Sequence, residues 1–303
     1  MSKPNMLQSK QLRDLLNSKS IVKVGGAYDA MTAKLVEHFE FDAIWAGSFA
    51  ISATHALPDA SIMTMTEFLG TATSMVESCN IPVIADCDTG FGGPNNVSHM
   101  VKKYESAGIA AVSIEDKIFP KQNSLLEDGK QELLSEKDFV AKLMAAKEAK
   151  KDENFMIIAR VEALIAGLGI AEAIKRANAY ENAGADAILI HSKKNTPDEI
   201  FEFSDAWKGK IPLIVIPTSY PSVTIDELSA HKISMVIYAN HTLRVAYNAI
   251  SNLLSQLAKA KSLDEVKMEI STMDDIFKLQ QTYRIKNQEK IIEENLKKMG
   301  YIN

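Results

Sequence analysis

Apolar residues fall along the chain in eight short runs, each closing on polar or charged residues. The runs are residues 21–28, 41–48, 81–88, 110–116, 155–162, 187–192, 211–218 and 234–241. Unbroken apolar stretches of this length read as strands buried on both faces of a parallel sheet. Elsewhere apolar positions recur at the three- and four-residue spacing of helices. That spacing predicts helices over 6–16, 31–38, 96–106, 136–149, 170–183, 197–207 and 225–230, then 242–260 and 273–299 beyond the eighth run. Strands alternating with helices predict an α/β fold, a (β/α)₈ TIM-type barrel with C-terminal helices. A doubly wound open sheet is the alternative, because the same alternation builds one. The barrel is favoured, since six or more strand ends carry polar or charged residues fit to line one mouth.

No low-complexity linker interrupts the pattern. Residues 1–303 read as a single domain, with a barrel core over 20–260 and a helical extension over 261–303. The last predicted helix is rich in Lys, Glu and Gln and longer than an outer-ring helix requires. A solvated terminal helix and a helix packed across a subunit boundary both suit it.

Hydrophobic residues make up 46% of the chain and charged residues 24%, a balance able to fill a large core. The net charge of −5 gives no general attraction to nucleic acid or anionic membranes, so a small anionic substrate would need local positive groups. Cys79 and Cys87 imply no disulfide framework. No apolar segment is long enough to span a bilayer and residues 1–7 lack a signal-peptide core, so a cytoplasmic location is expected.

The chemistry gathers at the strand ends. The third run stops in Asp86-Cys87-Asp88 and turns at once through Thr89-Gly90-Phe91-Gly92-Gly93; the fourth stops in Glu115-Asp116-Lys117. Asp86, Asp88 and Glu115, past adjacent strands, suit a hard cation such as Mg²⁺. Asp59, after the second strand, reads alone as a turn or cap residue; with the others it completes a four-acid set. Mg²⁺ keeps much of its water, so Asp86 is expected as the direct ligand, with Asp59, Asp88 and Glu115 acting through water. Arg160 closes the fifth strand with a planar donor fork suited to phosphoryl or carboxylate oxygens; its other reading is a rim ion pair. His191 closes the sixth, where a substrate donor is expected beside an anion site. Lys117, Lys121 and Asn123 open a long polar loop reaching about residue 135, with Gly129 available to bend it, a candidate lid.

On these motifs, Asp86-x-Asp88-Thr-Gly-Phe-Gly, Glu115-Asp-Lys-x₅-Asn123-Ser124, Ala159-Arg160-Val-Glu162-Ala and Gly184-Ala-Asp-Ala-Ile-Leu-Ile-His191-Ser-Lys, the chain resembles the phosphoenolpyruvate mutase branch of the isocitrate lyase/phosphoenolpyruvate mutase superfamily, over about residues 22–281. The resemblance implies Mg²⁺ and the interconversion of phosphoenolpyruvate with phosphonopyruvate, a step that opens phosphonate biosynthesis. It implies a terminal barrel helix exchanged between subunits in a homotetramer, a dimer of dimers. It assigns catalytic roles to Asp59, Lys121, Asn123, Arg160 and His191, with Lys121 closing over the site. It assigns substrate contacts to Trp45, Gly47, Ser48, Phe49 and Ser124 as well as to Arg160 and His191. Lyases of the superfamily carry a Lys-Lys-Cys-Gly-His type loop where this chain, at 117–124, has no Cys. Oxaloacetate-hydrolysing relatives are disfavoured by the Glu-Asp-Lys-x₅-Asn-Ser match. Phosphonopyruvate hydrolase is the rival, similar along most of the chain and closely so in segments such as 161–169 and 196–200, but with Thr at the position of Asn123. One departure stands out: mutases of this type read Ser-Gly after the second strand's Trp, and this chain has Gly47-Ser48.

Overall fold

The computed structural model describes residues 6–302. Eight parallel strands close on themselves: β1 (Val22–Ala27), β2 (Ala43–Ala46), β3 (Val83–Asp86), β4 (Ala111–Glu115), β5 (Met156–Val161), β6 (Ala187–Ile190), β7 (Leu213–Val215) and β8 (Ile233–Tyr238), with β8 pairing back onto β1. The open-sheet alternative is thereby excluded. Each apolar run becomes a strand, trimmed at its ends where the chain turns out of the ladder. At Asp88, for example, φ is +49°.

Around the barrel stand α1 (Met6–Ser18), α2 (Ala30–His38), α3 (Ser48–Thr54), α4 (Met65–Ser78), α5 (Pro94–Ser106), α6 (Glu136–Ala149), α7 (Gly169–Ala183), α8 (Asp198–Ala206) and α9 (Ile225–Ala230). The hydrophobic pattern misses α3 and α4. Most of α3 is small or hydroxyl-bearing, Ser-Phe-Ala-Ile-Ser-Ala-Thr, with no clear apolar period. For α4 the signal is in the cap: Thr64 accepts from the Glu67 backbone while the Glu67 carboxylate takes the Thr64 N–H at 2.7 Å, a reciprocal box legible as Thr-x-x-Glu.

Strand residues alternate between two cores, as a two-residue period requires. Val22, Val24, Trp45, Ile84, Met156, Ile158, Leu189, Ile214 and Ile237 share the lumen cluster. Val83, Ala85, Val112, Ile157, Ala159 and Ile188 join the larger cluster that contains helix residues such as Met100, Leu143 and Tyr180. Leu12 of α1 enters the lumen cluster. Arg13 ties that helix to the carbonyls of Glu153 and Asn154 and to Asp186, ahead of β5 and β6. The N-terminal end of the barrel is thus covered, and the C-terminal end is left for the site.

The chain divides into two compact units, one ending at Arg244 and the other Val245–Asn303. α10 (His241–Leu257) runs across that boundary in sequence; α11 (Met273–Leu279) and α12 (Thr282–Lys298) follow. The single helix expected over 273–299 is two, because Gln281 adopts φ +57° and interrupts the ladder. None of the described residues from 245 onward is buried. No helix among the described residues is long and apolar enough to cross a membrane.

Candidate active site

The parity that fills the lumen also builds the mouth. Ile84, Met156, Ile158 and Leu189 point inward, so the next residues of the same parity, Asp86, Arg160 and His191, are carried into the same space one layer higher. Glu115 pairs in register with Arg160. A cavity of about 880 Å³ opens there, lined by Trp45, Gly47, Phe49, Asp59, Asp86, Lys121, Asn123, Ser124, Arg160 and His191. Ser48, Asp88 and Glu115 are buried immediately behind it. The residues expected at the site therefore meet in one place.

Four carboxylates gather around a single ammonium. Lys121 Nζ lies 2.7 Å from Asp88 Oδ1, 2.9 Å from Asp59 Oδ1 and 3.8 Å from Glu115 Oε1, and donates to Ser48 Oγ at 3.3 Å. Ser48 in turn donates to Asp86 Oδ2 at 2.9 Å. Burial pushes the Asp88 carboxyl up to about 6, against the pull of Lys121, and the nearby Asp86, Asp59 and Glu115 add to the rise. Asp59 resists its own burial: Lys121, and a hydrogen bond from Asn123 Nδ2 at 2.8 Å, hold it below the usual carboxylate range. The acids in turn hold Lys121 well above the ordinary lysine value in spite of its burial. Rather than closing over the site, Lys121 lies within the acid cluster.

This donor set fits a hard divalent cation in charge and in atom type. All its ligating atoms are oxygens, and carboxylates outnumber the ammonium. Asp59 Oδ1, Asp88 Oδ1 and Glu115 Oε1 are buried with the Lys121 ammonium as their shared charge partner. Among the described residues no three His, Cys, Asp or Glu side chains form a ready ligand cage.

A second cluster centres on Glu162, a residue to which the sequence pattern assigns no role. Its carboxylate is wholly buried. It accepts from Arg160 Nε at 2.5 Å and from Ser124 Oγ at 2.6 Å, and Lys117 Nζ is 3.4 Å away. Burial alone would raise Glu162, but the Arg160 guanidinium, with Lys117 beside it, holds it well below the carboxylate range. Burial also lowers His191, which favours a neutral imidazole. Its Nδ1 lies 2.9 Å from both Arg160 Nη2 and Glu162 Oε1. It can accept from the first or donate to the second, not both. The Ser124 hydroxyl is fully committed: it donates to Glu162 and accepts from Lys117 at 2.7 Å and Arg160 at 3.1 Å. Any substrate contact at Ser124 therefore falls to its backbone. The rim-pair reading of Arg160 holds for Nε. Its Nη1 has no acceptor among the described residues and is the nitrogen left for an anion.

At Gly47 the backbone is closely covered: a Cβ there would meet Trp45 Nε1 at 2.9 Å and Cδ1 at 3.0 Å. The hydroxyl of the Gly47-Ser48 pair stands at 48, where it reaches Asp86. The expected lid leaves the barrel as an antiparallel pair of stems. Lys117 bridges Leu133, and the Ile118 N–H donates to the Glu132 carbonyl at 3.0 Å. Its inner residues, from Lys121 through Gly129, largely line the cavity.

The family model described as phosphoenolpyruvate phosphomutase matches residues 12–258. The phosphonopyruvate hydrolase of Variovorax sp. (strain Pal2) is 43% identical over 282 residues, 93% of this chain and 97% of its own length. A solved phosphoenolpyruvate phosphomutase from Streptomyces platensis subsp. rosaceus superposes with a TM-score of 0.91 at 45% identity, covering 93% of this chain and 98% of that one. Phosphonopyruvate hydrolase in complex with oxalate and Mg²⁺ superposes at 0.88, with 41% identity and coverages of 93% and 98%.

Proposed function

Since the chain belongs to the phosphoenolpyruvate phosphomutase family, we propose that it interconverts phosphoenolpyruvate and phosphonopyruvate. The P–O bond to the enol oxygen breaks, a P–C bond to C3 forms, and the enolate becomes the ketone of phosphonopyruvate. Phosphoryl transfer of this loose kind asks for positioning and charge stabilisation more than for covalent chemistry. A Mg²⁺ held directly by Asp86, with Asp59, Asp88 and Glu115 acting through water, would stabilise charge on the enolate oxygen and carboxylate. Arg160 Nη1 is aimed at the phosphoryl oxygens by the grip of Glu162 on Nε. His191 donates through Nε2 in the tautomer whose Nδ1 accepts from Arg160 Nη2. The lid excludes water from the migrating group, and Lys121 offsets the acid cluster. A homotetramer remains part of this proposal; the exposed apolar residues Val245, Tyr247, Ile250 and Leu254 on α10 supply surface for a partner.

The observation that carries the mutase reading is Asn123. The lid presents a carboxamide at the cavity, held on Asp59, while the hydroxyls of Ser48 and Ser124 already donate to Asp86 and Glu162. An amide orients a phosphoryl oxygen without activating a water. The second reading, phosphonopyruvate hydrolase, draws its support from the 43% identity along nearly the whole of that enzyme. Replacing Asn123 separates the two. Asn123→Ala is expected to slow formation of phosphoenolpyruvate from phosphonopyruvate by about a hundredfold, the effect of losing one preorganised donor. Asn123→Thr should lose mutase rate and raise the share of phosphate among the products. An unchanged rate and product ratio in both variants would remove Asn123 from the assignment.

A further inference from the structure

Beneath the rim, between β4 and α7, lies a polar cluster apart from the acids and from the cavity. Asp116 is wholly buried. Its Oδ1 accepts the backbone N–H of Glu162 at 2.9 Å. Its Oδ2 accepts from the Tyr180 hydroxyl at 2.7 Å and from Arg176 Nη1 at 3.0 Å. The same Nη1 donates to the carbonyl of Leu134 at 3.1 Å, and Arg176 Nε is held on its own helix by Glu172 at 2.8 Å. The Leu134 N–H donates to the carbonyl of Asp116 at 2.9 Å. Both ends of the Leu134 residue are therefore fixed, at the point where the lid returns to the barrel. The other arm of the cluster fixes the peptide of Glu162, whose carboxylate holds Arg160, Ser124 and Lys117.

An apolar cluster of equal volume would serve stability as well as a buried ion pair does. It could not grip two chosen backbone groups. We propose that Arg176, through Asp116 and Tyr180, is a positioning residue that sets the register of the lid stem against the Glu162 platform, so that closing the lid and aiming Arg160 are one event. For its catalytic consequence the proposal rests on the lid and clamp roles given above. None of the three residues lines the cavity, and they act only through Leu134 and Glu162.

The test is amide hydrogen exchange on the full chain carrying Arg176→Met, Arg176→Lys or Tyr180→Phe, with kcat and KM for phosphonopyruvate measured in parallel. Arg176→Met and Arg176→Lys are expected to speed exchange at the Ile118 and Leu134 amides by about tenfold or more, with the β5 and β6 amides unchanged. Tyr180→Phe, which leaves Arg176 in place, should give a smaller effect at the same two amides. In the folded arginine variants kcat should fall by about tenfold while KM moves less, as a displaced clamp requires. If Arg176→Met does not fold, Arg176→Lys and Tyr180→Phe decide the matter. Unchanged protection at Ile118 and Leu134, or a loss spread evenly over the barrel strands, would overturn the proposal. Exchange is read whichever product the enzyme forms, so the pattern at these amides is the same test for a mutase as for a hydrolase.

Discussion

Asp86→Ala is expected to lose Mg²⁺-dependent turnover by on the order of a thousandfold or more, because a direct metal ligand supplies several kcal/mol of charge stabilisation in the transition state. The fold should survive. Asp86 shares its pocket with Asp59, Asp88 and Glu115 against one ammonium, so removing one acid relieves repulsion. What is lost is the acceptor for the Ser48 hydroxyl and for the Asp88 N–H, each worth about 1 kcal/mol. The variant should thus melt within a few degrees of the parent while its activity is gone. Asp88→Ala and Glu115→Ala should retain more activity and need more Mg²⁺, as the proposed contacts through water require. Full activity of Asp86→Ala at ordinary Mg²⁺ would remove it as the direct ligand.

The second large effect is expected at Glu162, and here stability should fall with activity. Glu162→Ala leaves Lys117 buried without its carboxylate, Arg160 with only the longer carboxylate contact, to Glu115 at 3.5 Å, and Ser124 without its acceptor. Breaking a buried pair from one side costs about 3–5 kcal/mol, to be read from denaturant midpoints. Glu162→Gln keeps the shape and one acceptor, so it should lose less stability and still misplace Arg160. The difference between wild type and Glu162→Gln has a definite pH dependence. The folded carboxyl is held well below its ordinary value, so its contribution is full above the unfolded pKa of about 4.3 and declines as pH falls through the depressed folded value. A difference that grew on acidification would contradict the ion-pair role.

Much of the fold and of the mouth is legible in the chain itself. The eight apolar runs give the barrel because a parallel strand buried on both faces leaves a continuous hydrophobic signature, and the polar residue that ends each run lies by parity at the mouth. That is why Asp86, Glu115, Arg160 and His191 can be placed together. The helices α3 and α4 escape the pattern, since small and hydroxyl residues blur the period in one and the cap, not the face, marks the other. Three features of the site depend on how the lid folds back, which no local pattern encodes. They are the seat of Lys121 among the acids, the commitment of the Ser124 hydroxyl to Glu162, and the grip of Arg176 on Leu134. What the Gly47-Ser48 order does is visible only in three dimensions, where the indole of Trp45 lies close on the bare backbone at 47 and the Ser48 hydroxyl reaches Asp86.

The mutase and hydrolase readings part in the fate of the phosphoryl group. The direct measurement is to give the wild-type protein phosphonopyruvate and Mg²⁺ and to follow the phosphorus by ³¹P NMR. A phosphoenolpyruvate resonance growing toward equilibrium, with little inorganic phosphate, is the expected result; inorganic phosphate as the main product, with matching pyruvate, would contradict the mutase assignment and establish the hydrolase in its place.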